Sequence, residues 1–136
     1  MLIGEKLGII MSFHEKKEKD INQKQDNEDY TDCFQIIAEA GQAKSDFIAA
    51  THVAINGDIE KAKELIKSGD EAFDKSHTIH LKILQLFASG ENRQPPSVLL
   101  VHAEDQMSSA EVLRTIANDF ILYYKNNLKK NDKSNL

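Results

Sequence analysis

The residues best suited to chemistry lie together in Ser97-Val98-Leu99-Leu100-Val101-His102-Ala103-Glu104-Asp105-Gln106-Met107. An imidazole titrates near neutrality, so a histidine offers a ring nitrogen for nucleophilic attack or for a metal while its other nitrogen is held by a hydrogen bond. Asp105 follows His102 at i+3, which sets the two side by side on a helix surface. Counting in steps of three and four gives Leu99, His102, Gln106, Ser109, Leu113, Ile116, Phe120 and Tyr123 as the expected inward stripe. Its first half is polar where Leu or Ile would serve, and a polar side chain on a buried stripe destabilises a fold unless it is partnered. Either this placement is functional, or His102 is a core histidine bonded to Asp105. Asp74-x-x-His77 and His77-x-x-His80 share the i, i+3 spacing that sets ligands on one helix face.

Three long helices are expected to carry these residues. Pro95-Pro96 breaks the chain, and Ser97 stands at the N-cap position of a helix over 97–128. An earlier helix over 29–56 has an unbroken apolar stripe of Cys33, Ile36, Ala40, Ala43, Phe47, Ala50 and Ala54. Asn56-Gly57-Asp58 ends it and caps the next helix, over 58–89, whose stripe is Ala62, Ile66, Gly69, Phe73, Ser76, His80, Ile83 and Phe87. Short links and a coiled-coil-like period predict an all-α, left-handed, up-down-up antiparallel three-helix bundle over 29–130. Ile37, Gly41, Ile48 and Ile55 add a second apolar flank to the first helix, more than one partner helix requires, so self-association is expected. Cys33, on the stripe, reads as a small core residue. Residues 1–28 show no sustained period and are expected to be a flexible extension, with Met11 an alternative start; 131–136 are expected to be a frayed tail.

Composition removes several function classes. The 136 residues suffice for one modest core, and 29% charged with 7% aromatic residues and two prolines suits amphipathic helices. A net charge of −5, without a long basic block, argues against nucleic acid as partner. One cysteine fits a reducing cytoplasm, and no apolar run approaches the roughly 18 residues of a membrane span.

Cys33-Phe34-Gln35-Ile36-Ile37, Ala40-Gly41-Gln42-Ala43-Lys44-Ser45, Gly57-Asp58-Ile59-Glu60-Lys61-Ala62 and Ala88-Ser89-Gly90-Glu91 resemble the first two helices of the lactose/cellobiose-class enzyme IIA of the bacterial phosphotransferase system. Leu99-Leu100-Val101-His102-Ala103-Glu104-Asp105 resembles its active-site signature, LLxHAQDHLM. The resemblance covers about 29–128 and implies a homotrimer. It also implies that His102 accepts phosphate from the general phosphocarrier HPr and passes it to a cysteine of the IIB component. Asp105 matches the aspartate that meets its symmetry mates around a metal, expected to be Mg2+, on the trimer axis. Such a cation would relieve the repulsion of three carboxylates.

Three positions depart from the family pattern. Glu104 replaces a glutamine, Gln106 replaces a second histidine, and His80 stands where an AHxxQT-like stretch carries glutamine. Glu104 puts a negative charge near a group that becomes more negative on phosphorylation, whereas Gln106 removes a titratable neighbour but keeps a hydrogen-bonding amide. His80, Glu104 and Gln106 are therefore candidate neighbours of the active site. Three readings stand at this point: a phosphocarrier, a phosphorylation-silent regulatory relative, and a metal-binding helical bundle.

Overall fold

The computed structural model describes residues 2–90 and 95–134, with side-chain surroundings for 11–20, 30–90 and 95–127. It is all-helical: α1 spans Leu2–Ile55, α2 Ile59–Ser89 and α3 Val98–Ser134, and the described residues contain no strand. The chain divides into two units, Met1–Thr31 and Asp32–Leu136.

In the first unit, where a flexible extension is expected over 1–28, α1 is helical from Leu2 onward. Its composition explains this: Glu, Lys and Gln occupy most of positions 15–25, with Asp20, Ile21 and Asn22 between them, Glu15 and Lys19 pair opposite charges at i+4, and no proline intervenes. Residues 11–20 are all exposed, Met11 and Phe13 included. The expected tail is likewise helical through Ser134, and residues 135–136 lie outside the described chain.

In the second unit the helix ends follow the chemistry expected of them. Gly57 and Gly90 take the left-handed conformation, at φ 88° and 75°, which lets each close a helix without a Cβ clash. Asp58 caps α2 by accepting the Lys61 amide at 3.0 Å, and the Ser97 hydroxyl accepts the Leu100 amide at 3.0 Å. The polar connection expected between α2 and Pro95 falls largely on residues 91–94, outside the described chain.

The core has three layers. The first joins Cys33, Ile36 and Ala40 of α1 to Ile83 of α2 and Leu100, Ala103 and Met107 of α3. The middle layer joins Ala43 and Phe47 to Ala72, Ala110 and Ala117. The last joins Ala50 and Ala54 to Ala62 and Ile121. Residue numbers rise through the layers in α1, fall in α2 and rise again in α3, so chain direction alternates. Every residue of the stripe expected on α1 is buried, Cys33 among them.

On α3 the expected stripe is displaced by one residue. The buried positions are Leu100, Ala103, Met107, Ala110, Ala117 and Ile121, each one beyond a residue of the Leu99–Tyr123 series, a rotation of about 100°. Residue size decides between the two faces. Alanine fills four of the seven stripe positions on α1, beside the bulky Ile36 and Phe47, and the space this leaves accommodates Ala103, Ala110 and Ala117 better than Phe or Tyr. The bulkier apolar residues Val98, Val101, Val112, Ile116, Phe120 and Tyr123 consequently face outward.

Candidate functional site

The site is the second and third turns of α3. Ser97 fixes where the helix starts, and Leu100, Ala103 and Met107 lock its rotation against α1 and α2. That rotation puts His102 on the outward face, exposed, which corrects its expected place on the inward stripe. Among the described residues no side chain bonds its ring, so the reading of a core histidine held by Asp105 does not apply. Asp105 is exposed as well, and its carboxylate has no described partner; only its backbone oxygen is engaged, accepting the Ser109 hydroxyl at 2.8 Å.

The residues flanking His102 are anchored. Glu104 turns toward α2, where its carboxylate meets His80 Nε2 at 2.8 Å, with the histidine side chain 17% exposed and the glutamate 43%. Two of the three departures from the family pattern are therefore partners of each other. The pair carries no net charge when the imidazole is protonated and one negative charge when it is neutral. Gln106 turns the other way, and its amide oxygen accepts a hydrogen bond from the ammonium of Lys44 on α1. Lys44 is half-buried, and no carboxylate among the described residues pairs with it.

The helix thus presents a free imidazole between two interhelical ties, one to each neighbouring helix. A ring held by no side chain can receive a group from a partner macromolecule or give one up, provided that macromolecule can reach the outward face. His77 is exposed, its ring stacked 6.3 Å from that of Phe73. Among the described residues no three His, Cys, Asp or Glu side chains gather closely enough to hold a metal ion, so Asp74, His77 and His80 do not form the centre that a metal-binding bundle requires. Sequence reasoning did not single out Lys44 as a site residue. The available signal was a lysine directly after Ala43 on the edge of the α1 stripe, where a long side chain reaches the neighbouring helix.

Residues 31–125 match the family described as the lactose/cellobiose-specific IIA subunit of the PTS system. The chain is 32% identical over 96 residues to the lactose-specific EIIA component of Lactococcus lactis subsp. lactis, covering 71% of this chain and 90% of that one. It is 30% identical over 92 residues to the lichenan-specific phosphotransferase enzyme IIA component of Bacillus subtilis (strain 168), covering 68% and 83%. The crystal structure of the cellobiose-specific enzyme IIA from Bacillus anthracis superposes with a TM-score of 0.69 at 32% identity, covering 74% of this chain and 91% of that one.

Proposed function

The chain belongs to the lactose/cellobiose-specific IIA subunit family of the phosphotransferase system, and from that membership we propose that it is a phosphocarrier whose acceptor is His102. In this role it takes phosphate from phospho-HPr and gives it to a cysteine of a lactose/cellobiose-type IIB component in the cytoplasm. The exposed, unbonded ring of His102 supports the reading most directly. A ring nitrogen attacks phosphorus; the new N–P bond forms as the bond to the donor breaks, and the electron pair leaves with the donor. In the second transfer the cysteine thiolate attacks phosphorus, an S–P bond forms, and the N–P electron pair returns to the His102 ring. Catalysis of this kind rests on alignment and on groups that stabilise phosphoryl charge. No helix among the described residues is long and apolar enough to cross a membrane, which suits a carrier that moves between protein partners.

The left-handed bundle assembles as a homotrimer in this reading. The outward apolar face of α3 supports it, because Val98, Val101, Val112, Ile116, Phe120 and Tyr123 form one stripe with Asp105 near its middle and His102 at its edge, where the ring stays open to a partner protein. Covering such a stripe with copies of itself removes it from water. Asp105 alone offers too few oxygens for a divalent cation; three copies meeting along this face supply a carboxylate set that fits Mg2+ with water completing the shell. When bound, the ion neutralises carboxylate repulsion.

Three measurements test the proposal. Incubation with labelled phosphoenolpyruvate, enzyme I and HPr is expected to label the chain; an unlabelled chain would favour the regulatory reading. Light scattering is expected to give a trimer at micromolar concentration, and Asp105→Asn is expected to remain trimeric without divalent ions while the parent loses thermal stability on chelation. A monomer in solution would refute the assembly. Identical responses of parent and variant to the chelator would refute the axial metal.

A further inference from the structure

We infer that Lys44 is a phosphoryl-binding residue, delivered to the acceptor by Gln106. The inference rests on His102 being the phosphorylated residue and goes beyond it by assigning a cation on another helix to the phosphoryl oxygens. Three observations carry it. Lys44 is half-buried, and no carboxylate among the described residues pairs with it, although the lysines at 61, 63, 75 and 82 each lie within ion-pair distance of one. Its ammonium donates to the neutral amide oxygen of Gln106, a contact that orients the cation without cancelling its charge. Gln106 lies at i+4 from His102, so the two are neighbours on the helix surface, about 5–6 Å apart at Cβ.

Helix geometry adds a direction. Side chains on an α-helix lean toward its N-terminus, so the Gln106 amide, and the ammonium bound to it, incline toward the turn that bears His102. A phosphoryl group on the ring brings two negative charges and strong acceptor oxygens into that space. An ammonium has three donors and can keep the Gln106 contact while turning another toward a phosphoryl oxygen. Glutamine suits the tether: a glutamate would claim the charge as an ion pair, and an apolar residue would leave the ammonium free to move into solvent. On the other flank His80 draws the Glu104 carboxylate toward α2, which keeps the acidic departure from the signature aimed away from Lys44.

The test is the phosphoryl-transfer equilibrium between phospho-HPr and the full-length chain, with 31P NMR of the phosphohistidine as the second readout. Lys44→Met is expected to shift the equilibrium against the phosphorylated chain by about tenfold, the scale of one charge-assisted hydrogen bond to a phosphoryl oxygen. Its 31P resonance should also move, which a packing role for the lysine would not produce. Lys44→Arg is expected to stay near the parent in both. Gln106→Glu claims the lysine's charge as an ion pair and should shift the equilibrium in the same direction as Lys44→Met; Gln106→Leu, which releases the lysine without adding a charge, should do so too, and this neutral arm decides the matter if the methionine variant folds poorly. A parent that accepts phosphate while Lys44→Met and Gln106→Leu match it in equilibrium and resonance overturns the role of Lys44 alone. A parent that accepts none overturns the carrier reading together with it.

Discussion

His102→Ala abolishes phosphate acceptance from phospho-HPr, and His80→Ala leaves acceptance detectable with an altered rate. That is the expected pair of results, and the environments of the two rings explain the contrast. His102 is exposed on the outward face with no side chain bonded to it, so its ring is available to a donor protein, and no described neighbour offers a replacement nucleophile in the same place. His80 is turned inward, and its Nε2 is already committed to Glu104 at 2.8 Å. Losing it leaves a carboxylate nearer the acceptor without its partner, which penalises a phosphoryl dianion but does not remove the nucleophile. Folding should survive both changes. An exposed histidine replaced by alanine gains helix propensity, and the 43%-exposed Glu104 side chain can turn to solvent when His80 is gone. The label should be acid-labile and alkali-stable, as phosphohistidine is, and it should vanish in His102→Ala only. Parent-level label in that variant would assign the phosphate to another residue.

How far the sequence could be read depended on whether hydrophobicity or size made the decision. On α1 the two agree. Every residue of the Cys33–Ala54 stripe is buried, while the exposed side of the helix is mostly polar, with Phe34, Ala38, Ile48 and Ile55 as its apolar residues. The caps at Asp58 and Ser97 and the left-handed glycines 57 and 90 were legible because each depends on local chemistry alone. On α3 they disagree: the sequence holds two apolar stripes about 100° apart, and hydropathy favours the bulky one. The alanine-rich face of α1 admits only the smaller stripe. His102 therefore changes from a buried polar residue needing a partner to a free one on an apolar surface, and its candidate chemistry no longer needs the excuse of a buried bond. The Glu104–His80 and Gln106–Lys44 contacts were not readable in advance, since each joins residues on different helices whose pairing follows from that rotation.

Gly69 shows the same competition between a local rule and packing, and it gives the largest expected effect on stability. By helix propensity alone, Gly69→Ala in the interior of α2 should stabilise the protein by about 1 kcal/mol. Packing reverses the sign. A Cβ at position 69 would lie 2.5 Å, 2.8 Å and 3.0 Å from three carbons of the Phe47 ring, well inside van der Waals contact. Phe47 is the largest fully buried side chain, and it sits in a layer built of Ala43, Ala72, Ala110 and Ala117. Ile66, Phe73 and Leu113 pack against the same cluster, so the fully buried ring has little free space into which to retreat. Overpacking a filled core costs about 1–3 kcal/mol, and at this separation the upper half of that range applies and outweighs the propensity gain. Gly69→Ala is accordingly expected to lower the melting temperature by several degrees, measured with parent and variant at the same protein concentration. Phe47→Leu alone is expected to destabilise by opening a cavity. The double variant should be more stable than the sum of the single losses predicts, since the smaller side chain yields the space that the new methyl group needs. A Gly69→Ala protein that melts higher than the parent would mean that helix propensity wins, and that Phe47 does not hold α2 at this distance.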